Sequence, residues 1–230
     1  MPSLLLYLRK EVIAAATVVA ATAHTTFLES ADQNRTDKGH SDRASLEVLL
    51  QMEKRMNKSL ESQLLRIRFS MARPGTDRIH YVNEDDVRVV LSRLPFELWH
   101  RLRAVHFNDR ARGSRVAGYV TNGHREIALC ALPPRMSMRG FLLKGQTPEQ
   151  FGAIWGQKWP RLAIRRFMLY DVLLHELGHL QVVDGNRPSE KLRFAHEKLA
   201  QVFAQNWCRE LWSTPFSHDD PVHNPPSLKE

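Results

Sequence analysis

Residues 161–183 read RLAIRRFMLYDVLLHELGHLQVV. The stretch holds no Pro and a single Gly, Gly178, and it is far longer than a strand, so it predicts a helix. It is apolar almost all round, which predicts burial. Inside it stands His175-Glu176-Leu177-Gly178-His179. Residues four apart share one helix face, so both imidazoles can reach one metal ion. Glu176 is turned by about 100° from His175. That aims its carboxylate at a metal-bound water, the place of a general base. Leu169, Leu173 and Leu180 share its face, and apolar surroundings raise a carboxyl pKa. A buried helix does not leave two His and a Glu without a partner. Gly178 costs a helix interior about 1 kcal/mol against Ala. Close approach of another backbone would compensate.

A catalytic zinc takes three protein ligands and keeps one open position. Gly185 and Pro188 end the first helix, and Ser189 or Glu190 begins a second that runs to about Trp212. The segment DGNRPSEKLRFAHEKLAQVFAQNW (184–207) offers Asp184, His196 and Glu197 as the third ligand. Val182 and Gly185 stand where a metzincin has Gly and His, which excludes that pattern. Leu192, His196, Leu199, Phe203 and Trp207 form a large apolar stripe on the second helix. Arg193, Glu197, Ala200, Ala204 and Cys208 form an adjacent stripe of mostly small residues. Two helices joined by a short loop run antiparallel, and small side chains let them close together. The Ala face therefore meets Gly178 and aims Glu197 at the metal. His196 and Asp184 remain alternatives. Asp171, one turn before His175, is a candidate to orient its imidazole.

HELGH followed by Glu197-Lys-Leu-Ala200-Gln201-Val-Phe203-Ala204 resembles the gluzincin metallopeptidases, in their minigluzincin and ImmA/IrrE-type forms. The resemblance covers about residues 165–212. It implies a small zincin-like α+β domain, with a short, mostly antiparallel sheet and hairpin packed on a buried HExxH helix and a following antiparallel helix. It implies a Zn²⁺ site of His175, His179 and Glu197, Glu176 as general base, and a peptide or protein substrate held along a sheet edge. Gln201 stands where the family has Asp or Asn. An SprT-like arrangement, with His196 as third ligand, is the second choice, but the downstream Cys pattern of a zinc ribbon is missing. The function expected is a zinc metallopeptidase. The alternative is a metal-stabilised interaction protein with a vestigial site.

Upstream, Arg78–Val82 and Ala104–Phe107 are candidate strands, and Val116–Val120 with Arg125–Leu132 a hairpin turning at Asn122-Gly123. Asn83 is placed to cap a helix that Pro95 interrupts. A short helix is expected around Pro148–Trp155. Leucines and methionines among charges over 46–68 predict an amphipathic helix, and Pro74-Gly75 then breaks the chain. Four segments follow: an apolar stretch and polar linker at 1–45, the helix and turn at 46–75, the domain at 76–213, and a disordered tail at 214–230. Val12–Ala23 after Arg9-Lys10 has the layout of a signal peptide. Cytoplasmic residence is favoured, with export the alternative, and no run is long enough to span a membrane.

Composition sets the outer limits. The chain has 230 residues, two Cys and a net charge of +8. Two Cys exclude a dense disulfide scaffold or a four-Cys metal site. Arg73, Arg78, Arg88, Arg93, Arg101, Arg103, Arg110, Arg112 and Arg115 make the centre of the chain basic. No aromatics interleave with them as on a nucleic-acid platform, so nucleic acid is the less favoured partner.

Overall fold

Short stretches of alternating side chains build the sheet. The computed structural model describes residues 51, 58–109, 116–121, 123, 125–134, 142, 146–181 and 190–226. In it β1 is Arg68–Met71, β2 Ala104–Asn108, β3 Gly118–Val120 and β4 Glu126–Cys130. Their order is β1-β2-β4-β3. β1 with β2 and β2 with β4 are parallel, and only β3 with β4 is antiparallel. The expected mostly antiparallel sheet is thus corrected to a mixed four-stranded one. The physical reason is connectivity: parallel neighbours need long crossovers, and α1 (Glu84–Ser92) lies in the one between β1 and β2.

β1 falls where the sequence pattern predicted the end of a helix. Residues 58–64 are helical, the chain turns, and Phe69 stacks on Phe107 at 6.3 Å. Leu64 and Ile67 are buried in the core, so the packed unit begins before residue 76. The candidate strand Arg78–Val82 contributes only an isolated bridge, Ile79 to Leu132. Asn83 caps α1 as its sequence predicts: its side chain accepts from the Asp86 amide, and Asp86 accepts from the Asn83 amide. The hairpin is wider than a two-residue turn. Thr121 N–H donates to the Glu126 carbonyl at 2.9 Å, and Gly123 holds φ +96° in the loop between. The short helix near 148 is a 3₁₀ turn, Pro148–Phe151.

The long apolar helix forms, but not as one regular α-helix. α2 (Arg161–Phe167) passes through a π-helical segment, Met168–Leu173, into α3 (Leu174–Gln181). α4 spans Glu190–Ser213. α3 and α4 pack so closely that a Cβ on Gly178 would sit 2.8 Å from the Ala200 Cα. The approach inferred from the small-residue face is therefore present. Gly118 closes the gap between sheet and helices: a Cβ there would meet Val172 at 2.6 Å and Glu176 at 3.2 Å.

The segment read as a disordered tail is ordered through residue 226. Val222 and His223 are buried at 0% and 1% exposure. Arg165 on α2 bridges Asp86 at 2.8 Å and Asp220 at 2.7 Å, and Tyr170 meets His223 at 3.2 Å. The sequence offered no apolar periodicity there, because a clasp of charged partners holds the segment. No described helix is long and apolar enough to cross a membrane. The N-terminal segment and linker, most of the amphipathic helix, Asp184, Arg110, Arg112 and Arg115 lie outside the described residues.

Candidate metal centre

α3 presents His175 and His179 one turn apart, and α4 brings Glu197 over them. His175 Nε2 lies 3.3 Å from Glu197 Oε2, His179 Nε2 3.5 Å from the same oxygen, and the two Nε2 atoms are 3.1 Å apart. The three donor atoms all lie within 4.8 Å of one another. The Glu197 side chain is 63% exposed and the imidazoles are 16% and 18% exposed, so the cluster opens to solvent on its carboxylate side. Two imidazoles and a carboxylate suit a divalent metal such as Zn²⁺.

A chain of hydrogen bonds sets the His175 ring. Gln201 Nε2 donates to Asp171 Oδ1 at 3.0 Å, which turns Gln201 Oε1 to His175 Nδ1 at 2.9 Å. Only Nδ1–H can satisfy that oxygen, so in the neutral ring the Nε2 lone pair faces the cluster. Gln146 also donates to Asp171. Asp171 therefore acts on His175 through Gln201, not directly. Asp171 lies in the π-helical segment, where a wider turn takes it out of the i, i+4 line to His175.

Charge follows the same geometry. Hydrogen bonds from the protonated His175 and His179 rings hold the Glu197 carboxyl far below the usual range, against the effect of its partial burial. Burial pushes His175 down, but Glu197, Glu176 and Gln201 outweigh it and leave the imidazole above its ordinary value. Burial lifts Glu176 to about 7, opposed by both imidazoles and by the Val120 amide and assisted by Glu197. Burial likewise raises Asp171, although Gln201, Gln146 and His175 oppose it.

The structure brings together His175, His179 and Glu197 and sets Glu176 behind them, buried at 5% exposure. His196 is not part of the cluster. Sequence reasoning missed the bridging role of Gln201 and the part of Gln146. The i, i+4 spacing of Glu197 and Gln201 on one helix face was the available signal for the first. Gln146 lies in a loop, with no periodicity to mark it. Four of the six described arginines of the central stretch are spent internally. Arg78, Arg88, Arg93 and Arg101 donate to the carbonyls of Ala131, Leu64, Leu211 and Leu180.

The three donors are spread over two helices and are not contained in one contiguous HExxH motif. This corrects the identification with the gluzincins, the SprT-like second choice, and the zincin-like fold class built on a single buried HExxH helix. It also corrects the reading of the chain as a zinc peptidase. What stands is an α+β fold with a mixed sheet and a His/His/Glu cluster that could coordinate a divalent metal such as Zn²⁺. In comparison with known proteins, the chain matches no family model, no curated protein and no solved structure.

Proposed function

We propose that the protein is a metal-stabilised interaction protein. His175, His179 and Glu197 hold one Zn²⁺, which pins α4 to α3 beside the sheet. The observation that carries this reading is the convergence of three donor atoms within 4.8 Å from two different helices. A cation there cross-links elements that the sequence separates, and binding free energy becomes folding free energy. Glu176 accepts from the Val120 amide, so in this reading it ties β3 to the metal-bearing helix.

The partner is a peptide or protein segment. Among the described residues, β3 pairs with β4 only. Thr121 donates to the Glu126 carbonyl and Cys130 to the Ala117 carbonyl. The intervening Gly118 N–H and carbonyl and the Val120 carbonyl therefore turn away from β4, where an extended segment can pair with them, while the Val120 amide is held by Glu176. The internal use of Arg78, Arg88, Arg93 and Arg101 favours this partner over a polyanion.

Metal content and thermal melting test the proposal together. The purified protein should hold about one Zn²⁺ per chain, because one ligand set is seen among the described residues. EDTA should lower its Tm. His175→Ala should lose the metal and melt where the EDTA-treated protein does. Glu176→Gln, which keeps a hydrogen-bond acceptor for Val120, should change neither metal content nor peptide capture on an array. Full zinc occupancy in His175→Ala would sink the assignment.

A further inference from the structure

The face of the sheet turned away from the helices carries a second constellation. Paired strand residues share a face. Ser70 on β1 pairs with His106 on β2, while Glu126 on β4 pairs with Ala104, diagonal to His106. Gly118, Ile127 and Leu129 have the opposite parity, and Gly118 meets Val172 and Glu176. Ser70 Oγ lies 2.6 Å from His106 Nδ1, and His106 Nε2 lies 3.2 Å from Glu126 Oε2. Arg68 and Thr121 Oγ1 each hold a Glu126 oxygen at 3.4 Å. With Nε2–H given to the carboxylate, Nδ1 keeps its lone pair and accepts from the Ser70 hydroxyl. Ser70 is exposed, and the His106 and Glu126 side chains are 32% and 33% exposed.

We propose that Ser70, His106 and Glu126 form an acyl-transfer site for carboxylic esters. Ser70 Oγ forms a bond to the ester carbonyl carbon as its proton passes to His106 Nδ1. The bond from that carbon to the alcohol oxygen breaks, and the departing oxygen takes the proton from Nδ1. Water then attacks the acyl-serine, giving its proton to Nδ1. Ser70 recovers a proton as the carboxylic acid leaves. Glu126 orients the ring and stabilises the imidazolium formed in each half-reaction. The amide of Met71 is placed as oxyanion donor. Arg68 and Ala72 N–H donate to the Arg103 and Phe107 carbonyls of the β2 side, at 3.0 and 2.8 Å. Strand alternation therefore turns the Met71 amide away from β2, to an edge where no other described strand pairs, one residue after the nucleophile. The Arg68 side chain, 76% exposed beside the site, favours an ester that carries an anionic group.

The test is labelling with a fluorophosphonate, read by intact mass and peptide mapping, beside hydrolysis of p-nitrophenyl acetate. One adduct is expected, on Ser70, and Ser70→Ala should abolish it. His106→Gln should slow labelling at least ~10²-fold, the range for loss of a general base. EDTA should leave labelling unchanged, which separates this site from the metal centre. A protein with no Ser70 adduct overturns the proposal. So does a His106→Gln protein that labels at the wild-type rate, which would make the Ser–His pair a strand clamp and nothing more. If His106→Gln does not fold, Glu126→Gln decides in its place: slower labelling supports the site and an unchanged rate overturns it.

Discussion

At the scale of single residues, the proposed metal centre depends on side chains outside its donor set of His175, His179 and Glu197. Gln201 is the clearest case. It holds His175 Nδ1 with its oxygen and Asp171 with its nitrogen. Gln201→Leu removes both links at similar volume and leaves Asp171 short of one donor. Zinc affinity should fall ~10–100-fold, the usual cost of losing such an orienting group, as measured by competition with a chromophoric chelator. The neighbouring pair separates the candidate ligands. Glu197→Ala should weaken zinc binding far more than His196→Ala, since only Glu197 reaches both imidazoles. The reverse ranking would reassign the third donor. Gln201 also shows why part of the site could not be read in advance. Its identity departs from Asp or Asn, yet the longer side chain spans the gap that the wide turn at Asp171 leaves. Spacing along a string does not record that gap.

Elements were legible where local chemistry decides them. The capping box at Asn83, the burial of the long apolar helix and the meeting of Gly178 with the alanine face follow from residue type and period. Sheet direction did not follow. Strands as short as Arg68–Met71 carry little pattern of their own, and whether neighbours run parallel depends on crossovers that no local rule fixes. The meeting of α3 and α4 gives a direct test. Gly178→Ala would gain about 1 kcal/mol of helix propensity. The new Cβ would stand 2.8 Å from the Ala200 Cα and 3.0 Å from its carbonyl oxygen. Backbone cannot rotate aside as a side chain does, so the overpacking cost of ~1–3 kcal/mol or more should win. Urea denaturation should show a net loss of stability, and zinc affinity should fall with it as α4 is pushed away. A more stable Gly178→Ala protein would disprove the close contact.

For the molecule as a whole, the C-terminal segment is a structural part and sets the acid limit. Burial would raise the Asp86 carboxyl, but His223, the Asn83 amide and Arg165 together hold it below its ordinary 3.8. A lowered carboxyl contributes stability that is complete above the unfolded value and lost as pH falls through the folded one. Asp220 is lowered too, against its burial, by Arg165 and the Val222 amide. Stability should therefore decline as pH drops below about 3.8. Asp86→Asn should be less stable at neutral pH and show a flatter acid limb in denaturant titrations across pH 2–6. The π-helical segment Met168–Leu173 governs how such a chain can change length. Ahead of it, Arg165 must point at Asp86 and Asp220; behind it, Gly178 must point at Ala200. One residue is worth about 100° of rotation. Deleting a single codon within 168–173 would regularise the helix and improve its hydrogen bonding, yet it would put the two halves out of phase. The segment is in effect a frame marker: a shorter descendant of this gene could keep the metal cluster or the C-terminal clasp, and to keep both it would need a compensating insertion in the same six codons.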